Sequence, residues 1–287
     1  MAVQRILGAG VIVGAAVGAM LAIQPAQASA ATPIPAAPIP AGAKYVALGS
    51  SFAAGPGITP VEPGSPAACA RSTRNYANLV AGHLKLALTD ATCSGATTAN
   101  VLTTSQAGQP PQINAVTADT KLVTMTIGGN DVNYLGSLDS YSCQDSGGAS
   151  CGTVDQAAIN AGLKTVGSRI AAVIDAVRAR APQAKIVVVD YQTILPVTGP
   201  LCTGVPMSDA HLAFERGVRT QLDAATRSAA AAHHATLVDV ATASQSHNAC
   251  SAAPWIEKYV VPAGIAPYHP KPAGMAAIAT MVEGQLS

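Results

Sequence analysis

Residues 185–191 read Lys-Ile-Val-Val-Val-Asp-Tyr, and this stretch decides the fold class of the chain. Its apolar positions are continuous rather than alternating, which is typical of a β-strand that is covered on both faces. Strands of that kind belong to parallel sheets, because the crossovers between parallel strands place helices over both faces. The stretch therefore predicts a buried strand in an α/β protein.

One long helix is predicted before this strand in the sequence and another after it. Residues 155–181 carry apolar side chains at every third or fourth position, and Pro182 ends that pattern. A second helical pattern begins at Ser208, whose side-chain oxygen can cap the first turn, and continues to His234. Helix, strand and helix in this order indicate a parallel sheet sandwiched by helices.

The same alternation continues towards both ends of the chain. Short apolar runs predict further strands at residues 44–48, 122–127 and 236–240. Helical spacing predicts two further helices, at residues 75–88 and 272–286. There is no internal repeat and no second composition class, so we predict a single domain.

Residues 1–30 have the features of a secretory signal peptide. A positive residue, Arg5, precedes an apolar run over residues 6–23, and Ala28 and Ala30 form a small-residue cleavage site. We predict cleavage after Ala30 and a secreted product, extracellular or associated with the cell wall. The alternative is an uncleaved membrane anchor, since the run has about the minimum length for a span.

The segment behind the cleavage point divides into two parts. Residues 31–43 are rich in Pro and Ala and predict a flexible lead-in, and residues 44–287 form the predicted domain. No later apolar run is long enough to span a membrane. The chain has 16 basic and 15 acidic residues, and the leader contains only Arg5, so the mature chain is formally neutral. Neutrality argues against nucleic acid or an anionic membrane surface as a partner, and we expect a monomer.

All six cysteines follow the signal peptide, at positions Cys69, Cys93, Cys143, Cys151, Cys202 and Cys250. An even number behind a signal peptide predicts disulfides formed in an oxidising compartment. Their pairing does not follow from the spacing alone. A zinc site is the weaker interpretation, because the sequence contains no C-x-x-C pair.

Candidate chemical groups follow the first two predicted strands, where ligands of parallel sheets bind. Residues 49–51 (Gly-Ser-Ser) place the Ser51 hydroxyl on a tight turn before a helix, a position that suits a nucleophile. Residues 128–131 (Gly-Gly-Asn-Asp) place the Asn130 amide where it can donate to an oxyanion. Taken singly, each segment is equally well explained as an ordinary turn.

Two further segments complete the set. The Gly95 backbone N–H, close after Cys93, is a second candidate oxyanion donor, although the disulfide alone would explain that loop. His269 lies between Pro267 and Pro270, just ahead of the last helix, and the prolines restrain its backbone. A lone histidine is usually structural. Four such segments in this order predict a nucleophile, a general base and an oxyanion hole.

The segments resemble the motif blocks of the SGNH (GDSL-type) hydrolases, particularly the secreted actinobacterial esterase and lipase branch. YVALGSSFAAG (residues 45–55) resembles the first block, CSGATT (93–98) the second, IGGND (127–131) the third and HPKPAGM (269–275) the fifth. The likeness extends through VVVDYQTILP and VDVATASQSHNACSAAPW, so it covers essentially the whole mature chain.

This resemblance implies a three-layer α/β/α sandwich with a parallel, flavodoxin-like sheet. It implies that Ser51 attacks an ester carbonyl and that His269 is the general base. The backbone N–H groups of Ser51 and Gly95 and the side-chain amide of Asn130 would form the oxyanion hole. It also implies disulfides between cysteines that are neighbours in the sequence, and neither a metal nor another cofactor.

Two departures from the family pattern are present. Ser50 stands where the first block usually has Asp, and Ala266 stands where an Asp commonly precedes the histidine by three residues. Some secreted members use a backbone carbonyl to orient the histidine. The resemblance therefore implies that the Ala266 carbonyl orients His269.

The sequence predicts a secreted serine ester hydrolase, an esterase or lipase, acting on small-molecule or lipid-like acyl esters. One alternative is a polysaccharide deacetylase of the same fold, and another is a catalytically silent binding protein. The scarcity of aromatic side chains, with Trp255 the only tryptophan, favours acyl esters over sugars. Residues 133–153 and 193–207 are predicted to be loops that shape the acyl pocket. The natural substrate does not follow from the sequence.

Overall fold

The computed structural model describes residues 1–4, 7–12, 14 and 38–286. The chain divides into two compact units, Met1–Ala37 and Pro38–Ser287. The described residues of the first unit are exposed and belong to no helix or strand, and the predicted cleavage site lies outside the described residues. Within the described ranges, no helix combines the length and the apolar character that crossing a membrane requires.

The second unit is built on a sheet of five parallel strands. These are β1 (Lys44–Gly49), β2 (Ala87–Asp90), β3 (Leu122–Thr126), β4 (Lys185–Val189) and β5 (Thr236–Val238). Their spatial order is β2-β1-β3-β4-β5. This is the flavodoxin-like order, in which the direction of winding reverses between β1 and β3. The predicted α/β fold class with a parallel, flavodoxin-like sheet is confirmed.

Helices connect the strands. They are α1 (Ser51–Ala54), α2 (Tyr76–Leu84), α3 (Thr98–Leu102), α4 (Tyr134–Asp145), α5 (Gln156–Arg180), α6 (Asp209–Ala232), α7 (Val240–Ala243) and α8 (Pro272–Gly284). Short 3₁₀ turns occur at Gln112–Ala115, Asn130–Val132 and Gln245–His247. The predicted cap of α6 is present, since the Ser208 side chain accepts a hydrogen bond from the His211 N–H.

The sheet separates two hydrophobic cores because side chains alternate between its faces. On β1, Val46 and Leu48 join the core beneath the long helices α5 and α6. Tyr45 and Ala47 point into the other core, which α2 and α8 cover. Helices on both faces of one sheet make the three layers that were expected.

The predicted helix at residues 75–88 is wrong in its last part. Helix α2 ends at Leu84, Lys85 takes a positive φ of 55°, and the chain enters β2. Strand β2, which was not predicted from the sequence, is a four-residue edge strand whose residues alternate between exposed and half-buried. It therefore lacks the continuous apolar run by which the inner strands were recognised.

Residues 133–153 do not form the predicted loop throughout, because helix α4 occupies Tyr134–Asp145. Its buried side chains include Tyr134, Leu138 and Tyr141, which have helical spacing, whereas serines and acidic or amide residues fill much of the rest. The apolar pattern was too sparse to identify a helix.

The end of the predicted lead-in belongs to the second unit. The Gly42 N–H donates to the Lys85 carbonyl at 2.8 Å, and Ile39 packs against the core under α2 and α8. Residues 38–43 are therefore tied to the sheet, even though their composition is that of a linker.

Three disulfides join cysteines that are neighbours in the sequence, as the resemblance implied: Cys69–Cys93, Cys143–Cys151 and Cys202–Cys250. The first bridge attaches the segment before α2 to the loop after β2 that contains Gly95. Each bridge restricts the unfolded chain and adds about 2–4 kcal/mol to the free energy of unfolding.

Candidate active site

The segments that follow β1 and β3 leave the sheet side by side. These two strands are hydrogen-bonded neighbours, with Gly49 in register with Thr126. Ser51 begins α1 two residues after the end of β1, and Asn130 begins a 3₁₀ turn four residues after the end of β3. The winding of the sheet reverses here, and ligands of open α/β sheets bind at such a point.

The turn that carries Ser51 is closely packed. The Ser50 N–H donates to the Thr126 carbonyl at 2.9 Å, and Gly49 has a φ of +134°. A Cβ on Gly49 would lie 2.5 Å from the same carbonyl oxygen, so only glycine fits. Ser51 itself is 7% exposed. The turn therefore holds the Ser51 hydroxyl at the mouth of the sheet, with little freedom to move.

Three candidate hydrogen-bond donors lie on the segments that follow β1, β2 and β3. Among the described residues, no acceptor pairs with the backbone N–H of Ser51 or of Gly95. The Asn130 side-chain amide donates one hydrogen to the Ala96 carbonyl at 2.8 Å, and this bond leaves its second hydrogen available. Unpaired donors of this kind are able to bind an oxyanion.

A neighbouring contact fixes the Asn130 segment against α3. The Asp131 carboxylate accepts hydrogen bonds from the Thr98 N–H at 2.9 Å and from the Thr98 hydroxyl at 2.5 Å. Arg169 on α5 lies 3.5 Å from the same carboxylate. The second and third motif blocks are thereby joined by a buried acidic side chain.

His269 is oriented by a backbone carbonyl, and the expected Ala266 carbonyl is the wrong one. The His269 Nδ1 lies 2.7 Å from the Pro267 carbonyl oxygen. The Ala266 carbonyl instead accepts from the His269 backbone N–H, at 3.4 Å, and so closes a four-residue turn. Pro267 at the second position and a positive φ of 56° at Tyr268 are typical of a type II turn. This turn places the Pro267 carbonyl, rather than that of Ala266, against the ring.

The environment of His269 favours the neutral imidazole. Burial lowers the pKa of His269 below its ordinary value, and the hydrogen bond to Pro267 offsets part of that shift. With Nδ1 donating to the carbonyl, the lone pair lies on Nε2, for which no partner is found among the described residues. A neutral ring with a free Nε2 is able to accept a proton.

The segment that carries His269 packs against the turn that carries Ser51. The His269 ring lies 5.5 Å, centroid to centroid, from the ring of Phe52, which is the neighbour of Ser51 in the sequence. A Cβ on Gly57 would lie 2.8 Å from the Ala266 nitrogen. No hydrogen bond joins Ser51 to His269 within the described residues; in enzymes without substrate such bonds are often long.

Tyr191, at the carboxyl end of β4, was not identified as a site residue from the sequence. Its hydroxyl accepts from the Gly129 N–H at 2.9 Å and lies 3.2 Å from the Ser50 hydroxyl. Its position directly after a buried strand was the available signal. Within the described ranges, no cluster of three or more His, Cys, Asp or Glu residues is arranged to hold a metal ion.

An open groove of about 460 Å³ lies beside Asn130. Leu102 and Ala99 of α3 line one side of it, and Ala172 and Arg169 of α5 line the other. Most of its exposed surface is apolar, although threonines and Asp131 also line it, and neither Ser51 nor His269 is among its lining residues. Its volume is large enough to take part of an acyl chain.

The sequence over residues 47–277 matches the model of the GDSL-like Lipase/Acylhydrolase family. A relative, Lipase 2 of Streptomyces coelicolor, is 35% identical over 247 residues, which cover 80% of this chain and 81% of the relative.

Two solved structures are similar along nearly their whole length. The crystal structure of an extracellular lipase from Streptomyces rimosus aligns with a TM-score of 0.69 and 30% identity, covering 84% of this chain and 98% of the lipase. Phospholipase A1 from Streptomyces albidoflavus aligns with a TM-score of 0.68 and 26% identity, covering 85% of this chain and 99% of the phospholipase.

Proposed function

The chain belongs to the GDSL-like lipase/acylhydrolase family and is a carboxylic ester hydrolase, and from this premise we propose that it cleaves acyl esters through an acyl-enzyme on Ser51. His269 is the general base. The observation that carries this proposal is the Pro267 carbonyl 2.7 Å from His269 Nδ1, because it holds the ring as the tautomer whose Nε2 is able to take a proton.

In the first half of the reaction, the Ser51 oxygen attacks the ester carbonyl carbon while its proton passes to His269 Nε2. The resulting tetrahedral intermediate carries its negative charge on the former carbonyl oxygen. When the carbon–oxygen bond to the alcohol breaks, the alcohol leaves with the proton from His269. The acyl group remains on Ser51.

In the second half, water attacks the acyl carbonyl and gives its proton to His269. Collapse of the second intermediate breaks the bond to Ser51, whose oxygen takes the proton back as the carboxylic acid leaves. No metal or other cofactor is required by these steps.

Stabilisation of the two intermediates falls to the three donors. The N–H groups of Ser51 and Gly95 and the free hydrogen of the Asn130 amide would bind the oxyanion. Removing one such donor typically costs about 2.7–4 kcal/mol of barrier stabilisation. Because two of the donors are backbone groups, Asn130 is the one that a side-chain substitution can remove.

The substrate class we propose is acyl or lipid-like esters. The apolar groove beside Asn130 suits an acyl chain, and the similar proteins are called lipases and a phospholipase A1. Neither the polysaccharide deacetylase nor the silent binding protein gains support from a particular contact in the described residues.

We further propose that the protein is secreted and acts as a monomer. Three disulfides fit an oxidising compartment, and the similar lipase from Streptomyces rimosus is called extracellular. The predicted signal peptide at residues 1–30 supplies the route.

The test is hydrolysis of p-nitrophenyl acetate, butyrate and palmitate by protein produced in an oxidising compartment. Ser51→Ala is expected to abolish turnover of every ester that the parent cleaves, whereas Ser168→Ala, on the exposed side of α5, is expected to leave it unchanged. Turnover that survives in Ser51→Ala would refute the proposed nucleophile. A preference for butyrate or palmitate over acetate is expected from the apolar groove, and acetate alone would favour a deacetylase.

A further inference from the structure

Tyr191 lies between the two halves of the candidate oxyanion hole. Its side chain is 1% exposed. The ring packs against Phe52 at a centroid distance of 4.9 Å and meets Tyr134 edge-on at 6.3 Å. These contacts fix the ring, so the position of its hydroxyl is determined by the surrounding core.

The hydroxyl joins the segment after β1 to the segment after β3. It accepts the Gly129 N–H at 2.9 Å and lies 3.2 Å from the Ser50 oxygen. The Ser50 hydroxyl donates to the Thr126 carbonyl, at 3.4 Å. With Tyr191 donating to Ser50 and Ser50 donating to Thr126, all three groups are satisfied at once.

The contact with Tyr191 leaves no room for a side chain at position 129. A Cβ on Gly129 would lie 2.7 Å from both the Cζ and the hydroxyl oxygen of Tyr191. The φ of Gly129 is −61°, which every residue adopts easily, so its backbone does not require glycine. The close approach of Tyr191 is therefore the reason that a glycine precedes Asn130.

We propose that Tyr191 is a positioning residue that sets the separation of the Ser51 N–H and the Asn130 amide. This inference rests on the proposed function, because it assigns these two groups to the oxyanion hole. Ser50 directly precedes Ser51, and Gly129 directly precedes Asn130, so one hydroxyl holds the residue before each donor. Ser50 thereby has a partner in the place where the family usually has Asp.

The hydroxyl stays protonated throughout the working range of an esterase. Burial raises the pKa of Tyr191 to about 12. The group therefore acts as a neutral bridge and takes no part in proton transfer. Its effect on the rate is geometric, and a misplacement of about 1 Å in an active site costs roughly a hundredfold in rate.

The experiment is a double-mutant cycle of Tyr191→Phe with Asn130→Ala, with kcat and KM measured on p-nitrophenyl butyrate. Tyr191→Phe removes only the hydroxyl. We expect kcat to fall by about 10- to 100-fold and KM to change by less than about twofold, because the donors act on the transition state. In the Asn130→Ala background the further loss is expected to shrink below about threefold, since the donor to be positioned is absent.

Tyr45→Phe is the matched control. Tyr45 is also fully buried, and its hydroxyl is hydrogen-bonded to Thr124 at 2.7 Å within the sheet, away from the site. It is expected to lower the thermal unfolding temperature about as much as Tyr191→Phe and to leave kcat unchanged. Equal loss of kcat in both variants, or an undiminished Tyr191→Phe loss in the Asn130→Ala background, would overturn the proposal.

Two further results keep the outcomes separate. If Tyr191→Phe does not fold, Ser50→Ala replaces it in the same cycle, where coupling to Asn130→Ala supports the proposal and simple additivity overturns it. Full activity of Ser51→Ala would refute the proposed function. Loss of activity in Ser51→Ala combined with an unaffected Tyr191→Phe would refute only the role of Tyr191.

Discussion

Ser51 and His269 are held by two regions of different construction. The nucleophile turn, residues 49–55, lies against β3, where the Ser50 N–H and a close glycine contact meet the same Thr126 carbonyl. The base loop, residues 256–270, is closed by an isolated bridge between Ile256 and Pro270, and several of its middle residues are exposed.

The difference shows that the fold positions the proposed nucleophile and the proposed base in two different ways. The nucleophile turn depends on contacts with the sheet, so its geometry is part of the core. The base loop depends on a local turn, in which Pro267 and Tyr268 determine which carbonyl meets His269. We therefore expect substitutions in the turn to affect folding and chemistry together, and substitutions in the loop to affect folding much less.

The largest expected effect tests this distinction with two glycines that both have positive φ. Gly49→Ala places a Cβ 2.5 Å from the Thr126 carbonyl oxygen. We expect it to lower the free energy of unfolding by about 3–5 kcal/mol, from backbone strain and overpacking together. Gly264 in the base loop has a φ of +86°, and a Cβ added there by Gly264→Ala would meet nothing within 4 Å. It should cost only about 1–2 kcal/mol, the strain alone.

Urea unfolding of both variants measures the two costs. Equal losses would show that the base loop is packed as tightly as the nucleophile turn, and the proposed contrast would then be wrong.

The next effect concerns chemistry on the nucleophile side. Asn130→Ala removes the only side-chain donor of the proposed oxyanion hole. We expect kcat to fall by about 10²- to 10³-fold. The free energy of unfolding should fall by only about 0.5–1.5 kcal/mol, from the lost hydrogen bond to the Ala96 carbonyl. Steady-state kinetics on p-nitrophenyl butyrate gives the answer, and Asn114→Ala, an exposed asparagine outside the site, is the control. A loss below about fivefold would remove Asn130 from the oxyanion hole.

A smaller effect is expected from the pH dependence of the base loop. The neutral form of His269 is the active base, and burial lowers its pKa below the ordinary value of about 6.5. Activity should therefore rise with pH through a midpoint below 6.5 and then level off. Protonation of His269 is disfavoured in the folded protein. The free energy of unfolding therefore decreases as the pH falls from the pKa of this histidine in the unfolded chain to its lower pKa in the folded protein.

The profile of kcat/KM against pH gives that midpoint. His211→Gln is the control. His211, near the start of α6, is hydrogen-bonded to Asp145 at the end of α4, and its substitution should leave the midpoint unchanged. A midpoint clearly above 6.5 would contradict the inferred effect of burial.

The smallest effect is expected at the position where the family commonly has a carboxylate. Because the Pro267 carbonyl already occupies Nδ1, Ala266→Asp should change kcat by less than about twofold. Pro267→Gly keeps the carbonyl but loosens the turn, and should lower kcat by up to about tenfold. A large gain in Ala266→Asp would show that the carbonyl orients the ring poorly.

Much of the fold was predictable because the patterns that identify its helices and strands lie within short stretches of sequence. The continuous apolar run of β4 and the helical spacing of α5 depend only on neighbouring residues. Strand β2 was missed because an edge strand is not apolar throughout, and α4 was missed because half of its surface is polar.

The candidate site divides in the same way. Ser51, Gly95, Asn130 and His269 could be named because each lies in a short motif, and the chemistry of a motif is carried by its own residues. The roles of these residues remain proposals. The identity of the orienting carbonyl was predicted wrongly, since it depends on a backbone turn that neither residue type nor spacing defines.

The sequence by itself determined the fold class, the presence of disulfides and the chemical groups at the strand ends, because these follow from periodicity, composition and local motifs. Only the tertiary structure decided that Pro267 rather than Ala266 meets His269, and that Tyr191 bridges Ser50 and Gly129. Tyr191 and Ser50 are 141 residues apart in the chain. Such contacts arise from the register of parallel strands and the packing of the core, which bring distant backbone atoms to one edge of the sheet.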